Sequence, residues 1–145
     1  MVRAPYHDPM HMDIRPAEPA DIPAVLGLWR ASAAPTATDS VEALRGLLRH
    51  DPGALLVAED AGEIVGSVIA GWDGWRGSVY RLAVLPEHRR RGLGGRLLRQ
   101  AEARLAEGGA RRMHAIVVGE DERAVGFWES TDWELQHGQL RYATG

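Results

Sequence analysis

The chain has no cysteine, which excludes disulfides, thiolate metal sites, iron–sulfur clusters and cysteine nucleophiles together. It also has no lysine, since all 17 basic residues are arginines, and no asparagine. Schiff-base chemistry and a phosphate-loop lysine are therefore excluded. Phenylalanine occurs once. No apolar run approaches the ~20 residues of a membrane span. Met1 to Met12 lacks the apolar stretch of a secretory signal, so a cytoplasmic location is the default expectation. An excess of positive charge is missing too. The 17 basic and 20 acidic residues leave a net charge of −3, which gives no electrostatic ground for binding nucleic acid.

What is present reads as a globular domain. The 145 residues are 45% hydrophobic and 26% charged, one domain's worth of ordinary sequence. Residues 1–12 hold two prolines, two histidines and no periodicity, and read as a loose arm. Residues 13–145 read as a single domain. Ile14–Ala17 suits a short strand, and Asp21 opens a helix with Ile22, Val25, Leu26 and Trp29 at helical spacing. Ser40 opens a second helix, and Asp51-Pro52-Gly53 stops it. Two apolar runs, 54–59 and 64–70, flank the turn Asp60-Ala61-Gly62 as a hairpin. A third strand covers 78–84. The strongest helix runs from Gly92 to Gly108, with Leu93, Leu97, Leu98, Ala101 and Leu105 as its buried stripe. A strand over 113–118, a short helix over 124–130 and one or two strands within Trp133–Tyr142 complete the chain. An antiparallel meander followed by a strand–helix–strand crossover predicts an α/β (α+β) fold.

Residues 78–98, SVYRLAVLPEHRRRGLGGRLL, carry the chemistry. A strand runs through a proline break and an arginine- and glycine-rich turn directly into an amphipathic helix. The first turn of a helix has N–H groups without intrahelical partners, and the macrodipole adds positive potential there. Gly92, Gly94 and Gly95 let a ligand approach the backbone, while Arg89, Arg90 and Arg91 add positive charge suited to phosphates. A diphosphate fits this description better than a carboxylate does. Packing and solvation account for an isolated turn of this kind equally well. The spacing is not that of a dinucleotide fingerprint.

The spacing Arg89-x-x-Gly92-x-Gly94 resembles the [RQ]-x-x-G-x-[GA] signature of the GNAT superfamily of acyl-coenzyme A transferases. Leu82 to Glu87 resembles the strand ahead of that loop, Ala124 to Glu129 resembles the family's A-x-x-[LF]-Y-E helix, and Ile14 to Ala17 with Asp21 resembles its opening. The match covers about residues 13–143. Gly71 to Gly77 looks closest to the G-x-D-G-x-R-G turn of the small bacterial YpeA-like branch.

The resemblance implies a mixed, mostly antiparallel sheet of six to seven strands flanked by about four helices. It implies an N-acetyltransferase that moves an acetyl group from acetyl-coenzyme A to a primary amine of a small molecule or protein, without a metal. Backbone groups of Leu82, Ala83 and Val84 would hold the pantetheine arm. Those from Arg90 through Leu93 to Gly95 would cradle the pyrophosphate, with Arg89, Arg90 and Arg91 in reach. Asp121 aligns with an asparagine of the cofactor site, and Trp128 with the tyrosine that often protonates the leaving thiolate. Ile116 aligns with a glutamate of peptide-N-terminal acetyltransferases.

Glu120 is the first choice for a base, with Tyr80, Asp73, His114 and Asp121 as the other candidates. Trp29, Trp72 and Trp75 are candidates to line the acceptor pocket. The expected partners are the coenzyme A thioester and an amine, with no nucleic acid or membrane and with a homodimer through Trp133–Tyr142. An alternative reading is a GNAT-like module that binds acyl-coenzyme A as a sensor or partner and transfers nothing.

Overall fold

The computed structural model describes residues 12–145, so the loose arm expected over 1–12 lies outside the described residues except for Met12. The chain falls into two compact units, one ending at His114 and the other running from Ala115 to Gly145.

The first unit holds most of a five-stranded sheet in the order β1-β2-β3-β4-β5. Its strands are β1 (Asp13–Pro16), β2 (Leu55–Asp60), β3 (Glu63–Trp72), β4 (Gly77–Val84) and β5 (Met113–Ala115), the last crossing the boundary between units. β1 through β4 pair antiparallel. Asp60 pairs with Glu63 across a two-residue turn in which Ala61 and Gly62 are both left-handed, at φ 51° and 83°. That is the turn which matches the twist of a hairpin, and glycine meets its requirement without strain.

Helices α1 (Ile22–Ser32) and α2 (Val41–His50) cover one face of the sheet. Ser40 caps α2, its hydroxyl accepting from the Ala43 N–H at 3.1 Å. Ile22, Val25, Leu28, Trp29, Leu44 and Leu48 pack there with Val57 and Ala83. Helix α3 (Leu93–Gly108) covers the opposite face: a Cβ on Gly66 would meet Leu97 at 2.9 Å, whereas the next residue, Ser67, bonds Trp29 of α1. A left-handed Gly109 ends α3.

In the second unit, α4 (Glu122–Glu129) completes the expected four α-helices. Where six to seven strands are expected, the described residues form five. Ile116 and Val118 do not continue β5, and both are exposed. Trp133–Tyr142 forms no strand. The left-handed Gly138 interrupts a polar stretch there, and Leu135, Leu140 and Tyr142 are exposed. Alternating apolar residues make a strand only where a neighbour takes up the backbone groups.

Candidate functional site

β4 sets the site. It is joined to β5 at its beginning: the Gly77 N–H donates to the Arg112 carbonyl at 2.9 Å, and Ser78 Oγ lies 3.0 Å from His114 Nε2. Three residues of β5 span about 10 Å and eight of β4 about 26 Å. The end of β4, Leu82–Val84, therefore outruns its neighbour. On its other side β4 carries a bulge. Ser67 pairs with Ala83 and Ile69 with Tyr80, so Arg81 and Leu82 together oppose Val68. Arg81 takes a left-handed φ of 50° at that point.

Beyond Val84 a short 3-10 turn, Pro86–His88, leads to the arginine loop. Gly92 is the N-cap of α3 at φ 78°, and no side chain caps the helix. Among the described residues nothing stands within 4 Å of where a Cβ on Gly92 would lie, so they leave the space before it open. The Arg96 N–H closes the first turn on the Gly92 carbonyl at 3.1 Å. That leaves the N–H groups of Leu93, Gly94 and Gly95 without intrahelical partners, which makes an anion cradle of the expected kind.

The arginines divide in their contacts. Arg89 donates from Nε to the Val84 carbonyl and from Nη2 to the Ser32 carbonyl, both at 3.2 Å, and so ties the loop to the scaffold. Arg90 and Arg91 are exposed, Arg90 with a left-handed φ of 66°. A fourth, Arg99, folds back along α3 until its Nη1 lies 3.2 Å from the Cβ position of Gly95. Its place one helical turn after Gly95 was the available sequence signal, and the arginine run obscured it.

The other candidates are placed as follows. Tyr80 is 47% exposed beside the bulge. Asp73 Oδ1 accepts from the Arg76 and Trp75 N–H groups, at 2.7 and 2.8 Å, and these bonds hold its carboxyl below the usual carboxylate range. Its geometry is that of a turn former. In the second unit Glu120 is exposed, and Asp121 caps α4 by accepting from the Ala124 N–H at 3.1 Å. Trp128 packs edge-on against Phe127 and Trp133, with ring centroids at 5.6 and 4.8 Å.

The three tryptophans proposed for the acceptor pocket do not come together. Trp29 is 2% exposed and belongs to the core. Trp72 lies against the end of α3, 3.8 Å from the Cβ positions of Gly108 and Gly109. Trp75 is 72% exposed at the β3–β4 turn, with the Arg76 guanidinium 4.3 Å from its ring centroid. Among the described residues no group of three or more His, Asp or Glu side chains could hold a metal, and no helix is long and apolar enough to cross a membrane.

The α/β fold thus joins a strand end that outruns its neighbour to a glycine-rich, uncapped helix start, a place for an anion beside free main-chain groups. The acetyltransferase (GNAT) family model matches residues 22–133, and the chain belongs to that family. An acetyltransferase of Sodalis glossinidius is 35% identical over 130 residues, which cover 89% of this chain and 92% of that protein. The apo aminoglycoside 6′-N-acetyltransferase of Acinetobacter haemolyticus shares the fold, with a TM-score of 0.75 over 92% of this chain and 99% of its own at 19% identity. So does a structure of a predicted acetyltransferase with acetyl-CoA from Clostridium acetobutylicum, with a TM-score of 0.72 over 91% and 96% at 12% identity.

Proposed function

We propose that the protein transfers an acetyl group from acetyl-coenzyme A to a primary amine of a small molecule or protein by direct attack. The observation that carries this reading is the junction of an open α3 start, Leu93–Gly95, with a strand end, Leu82–Val84, that β5 does not reach. The free N–H groups take the pyrophosphate, and Arg90, Arg91 and Arg99 supply its countercharge. The arm then lies along β4 and hydrogen-bonds the backbone of Leu82, Ala83 and Val84. Ala83 is itself buried, so its part is played by main-chain groups.

A backbone N–H aimed at the thioester oxygen contributes a few kcal/mol to the transition state. The amine nitrogen forms the new N–C bond as the C–S bond breaks. The amine gives up one proton and the thiolate takes one. A thiol with a pKa of about 8.5 leaves without strong acid assistance, so an indole at Trp128, which can only donate a hydrogen bond, is compatible with turnover. Glu120 is the proposed base, as an exposed carboxylate ahead of α4, and Tyr80 is the proposed proton partner beside the bulge. Glu120→Gln is expected to lower kcat more than about tenfold and to remove one limb of the pH–rate profile. An unchanged profile removes Glu120 from the reaction.

The reading is tested by melting with millimolar acetyl-coenzyme A, with NADH and ATP as controls. Ligand at about 100 times its Kd adds roughly 2.7 kcal/mol, a rise of several degrees. Coenzyme A release above hydrolysis with a panel of alkylamines, aminosugars and peptide amines then identifies the acceptor class. No shift with acetyl-coenzyme A overturns the reading.

A further inference from the structure

Arg81 is the one charge in the strand sequence SVYRLAV, and it sits at the bulge with a backbone that side-chain-bearing residues rarely adopt. Its guanidinium lies over the Trp29 ring, 4.7 Å from the centroid. It donates from Nη1 to the Ala34 carbonyl at 3.0 Å and from Nη2 to the Asp39 carboxylate. Asp39 in turn accepts from the Thr36 N–H at 3.1 Å and from the Thr36 hydroxyl at 2.7 Å. The Arg81 carbonyl is fixed as well: Trp29 Nε1 donates to Ser67 Oγ, which donates to that carbonyl, both at 2.8 Å.

We propose that Arg81 is a positioning residue that latches the α1–α2 segment, residues 33–40, onto the bulged strand and so fixes the wall against which the acceptor amine is held. This rests on the acetyltransferase reading above. In that reading the pyrophosphate end of the donor lies at α3, beyond Val84, and the arm runs back along β4. The acyl end then reaches Leu82, and the next residues on the strand are Arg81 and the exposed Tyr80.

Residues 33–40 form no helix or strand, and small side chains (Ala33, Ala34, Ala37) give them little to pack with. Arg81 gives them two anchor points on the sheet, at Ala34 and Asp39. A structural filler would serve better as an aliphatic. Burial of this cation works against its charge, and its Nε–H is buried without a partner among the described residues.

The test uses Arg81→Lys and Asp39→Asn in the full chain. Lysine keeps the charge but cannot reach both anchors or stack on Trp29. Asp39 is half-buried in a mostly exposed loop, so Asp39→Asn leaves the core intact. The readouts are acetyl-coenzyme A Kd, KM and kcat for the fastest amine of the panel, and hydrogen exchange of residues 33–40.

Each variant is expected to raise the amine KM about tenfold or more and to speed exchange at 33–40, while acetyl-coenzyme A Kd stays within about twofold. The double variant should be no worse than the worse single variant. An amine KM unchanged in folded Asp39→Asn that still binds acetyl-coenzyme A overturns the latch alone. Failure of the wild type to bind acetyl-coenzyme A overturns the reading beneath it.

Discussion

Arg89 donates from Nη2 to the carbonyl of Ser32, the last residue of α1, while its Nε holds the Val84 carbonyl. The first arginine of the loop is thus engaged by the scaffold, and the two that follow stand exposed. Arg89→Gln should lower stability by about 1–2 kcal/mol, since charge-assisted hydrogen bonds to carbonyls are lost at a partly buried site. It should also weaken acetyl-coenzyme A binding through misplacement of the loop. Arg90→Ala and Arg91→Ala should leave the melting temperature nearly unchanged, weaken acetyl-coenzyme A binding, and reduce its dependence on salt. Melting curves and Kd at two ionic strengths separate the two behaviours.

At Gly95 stability and binding are expected to part company. Gly95 lies inside the first turn of α3, where alanine is preferred over glycine by up to about 1 kcal/mol. The added methyl would meet Arg99 Nη1 at 3.2 Å, the far end of an exposed and flexible side chain. Gly95→Ala should therefore raise the melting temperature while displacing Arg99 and raising acetyl-coenzyme A Kd several-fold. Equal or tighter binding in this variant would remove Arg99 from the donor site.

Acid sensitivity is expected at the other end of α1. Arg15 grips Asp21 with two bonds, at 2.8 and 3.0 Å, and reaches Glu59 at 3.2 Å. The Arg15 hydrogen bond, helped by the Glu18 N–H and opposed by burial, holds the Asp21 carboxyl below its usual range. A depressed folded value means that the contribution is fully present above the ordinary carboxylate pKa of about 4 and is lost as pH falls through the folded value. Arg15→Ala should cost about 1 kcal/mol at neutral pH, as the pair is partly exposed. The wild-type and variant melting temperatures should converge on acidification below about pH 4. A constant gap down to the acid limit would show that the pair contributes through packing alone.

Tryptophan substitutions should separate core from surface. Trp29→Ala empties a buried site under Arg81 and should cost about 3–5 kcal/mol. Trp75→Ala, at an exposed turn already fixed by Asp73, should stay within about 0.5 kcal/mol. If acceptor KM is unchanged in folded Trp75→Ala, and in Trp72→Ala as well, neither ring contacts the amine.

The residues that were legible in the sequence are those whose role is local. The stripe from Leu93 to Leu105 marks α3, Ser40 marks the cap of α2, and Asp60-Ala61-Gly62 marks a hairpin, because period, capping and turn chemistry act over a few positions. The arginine loop was legible for the same reason. The contacts of its members were not, since Arg89 reaches a carbonyl 57 residues away. Arg81 signalled itself only as a charge in an apolar strand, and its partners on α1, β3 and the α1–α2 segment are set by tertiary structure. Trp133–Tyr142 shows the reverse case, an alternating pattern that forms no strand.

The shortness of β5 has a consequence for handling the protein. At the far side of the sheet the edge strand β1 is four residues long and ends in proline, a poor template for another chain. The end of β4 has no such protection from β5, and the main-chain groups proposed to hold the donor arm are the same ones that would recruit a stray strand. Donor and aggregation then compete for one edge, so the protein without acetyl-coenzyme A should be the less soluble form. Acetyl-coenzyme A added during purification would act as a removable cover for the sheet.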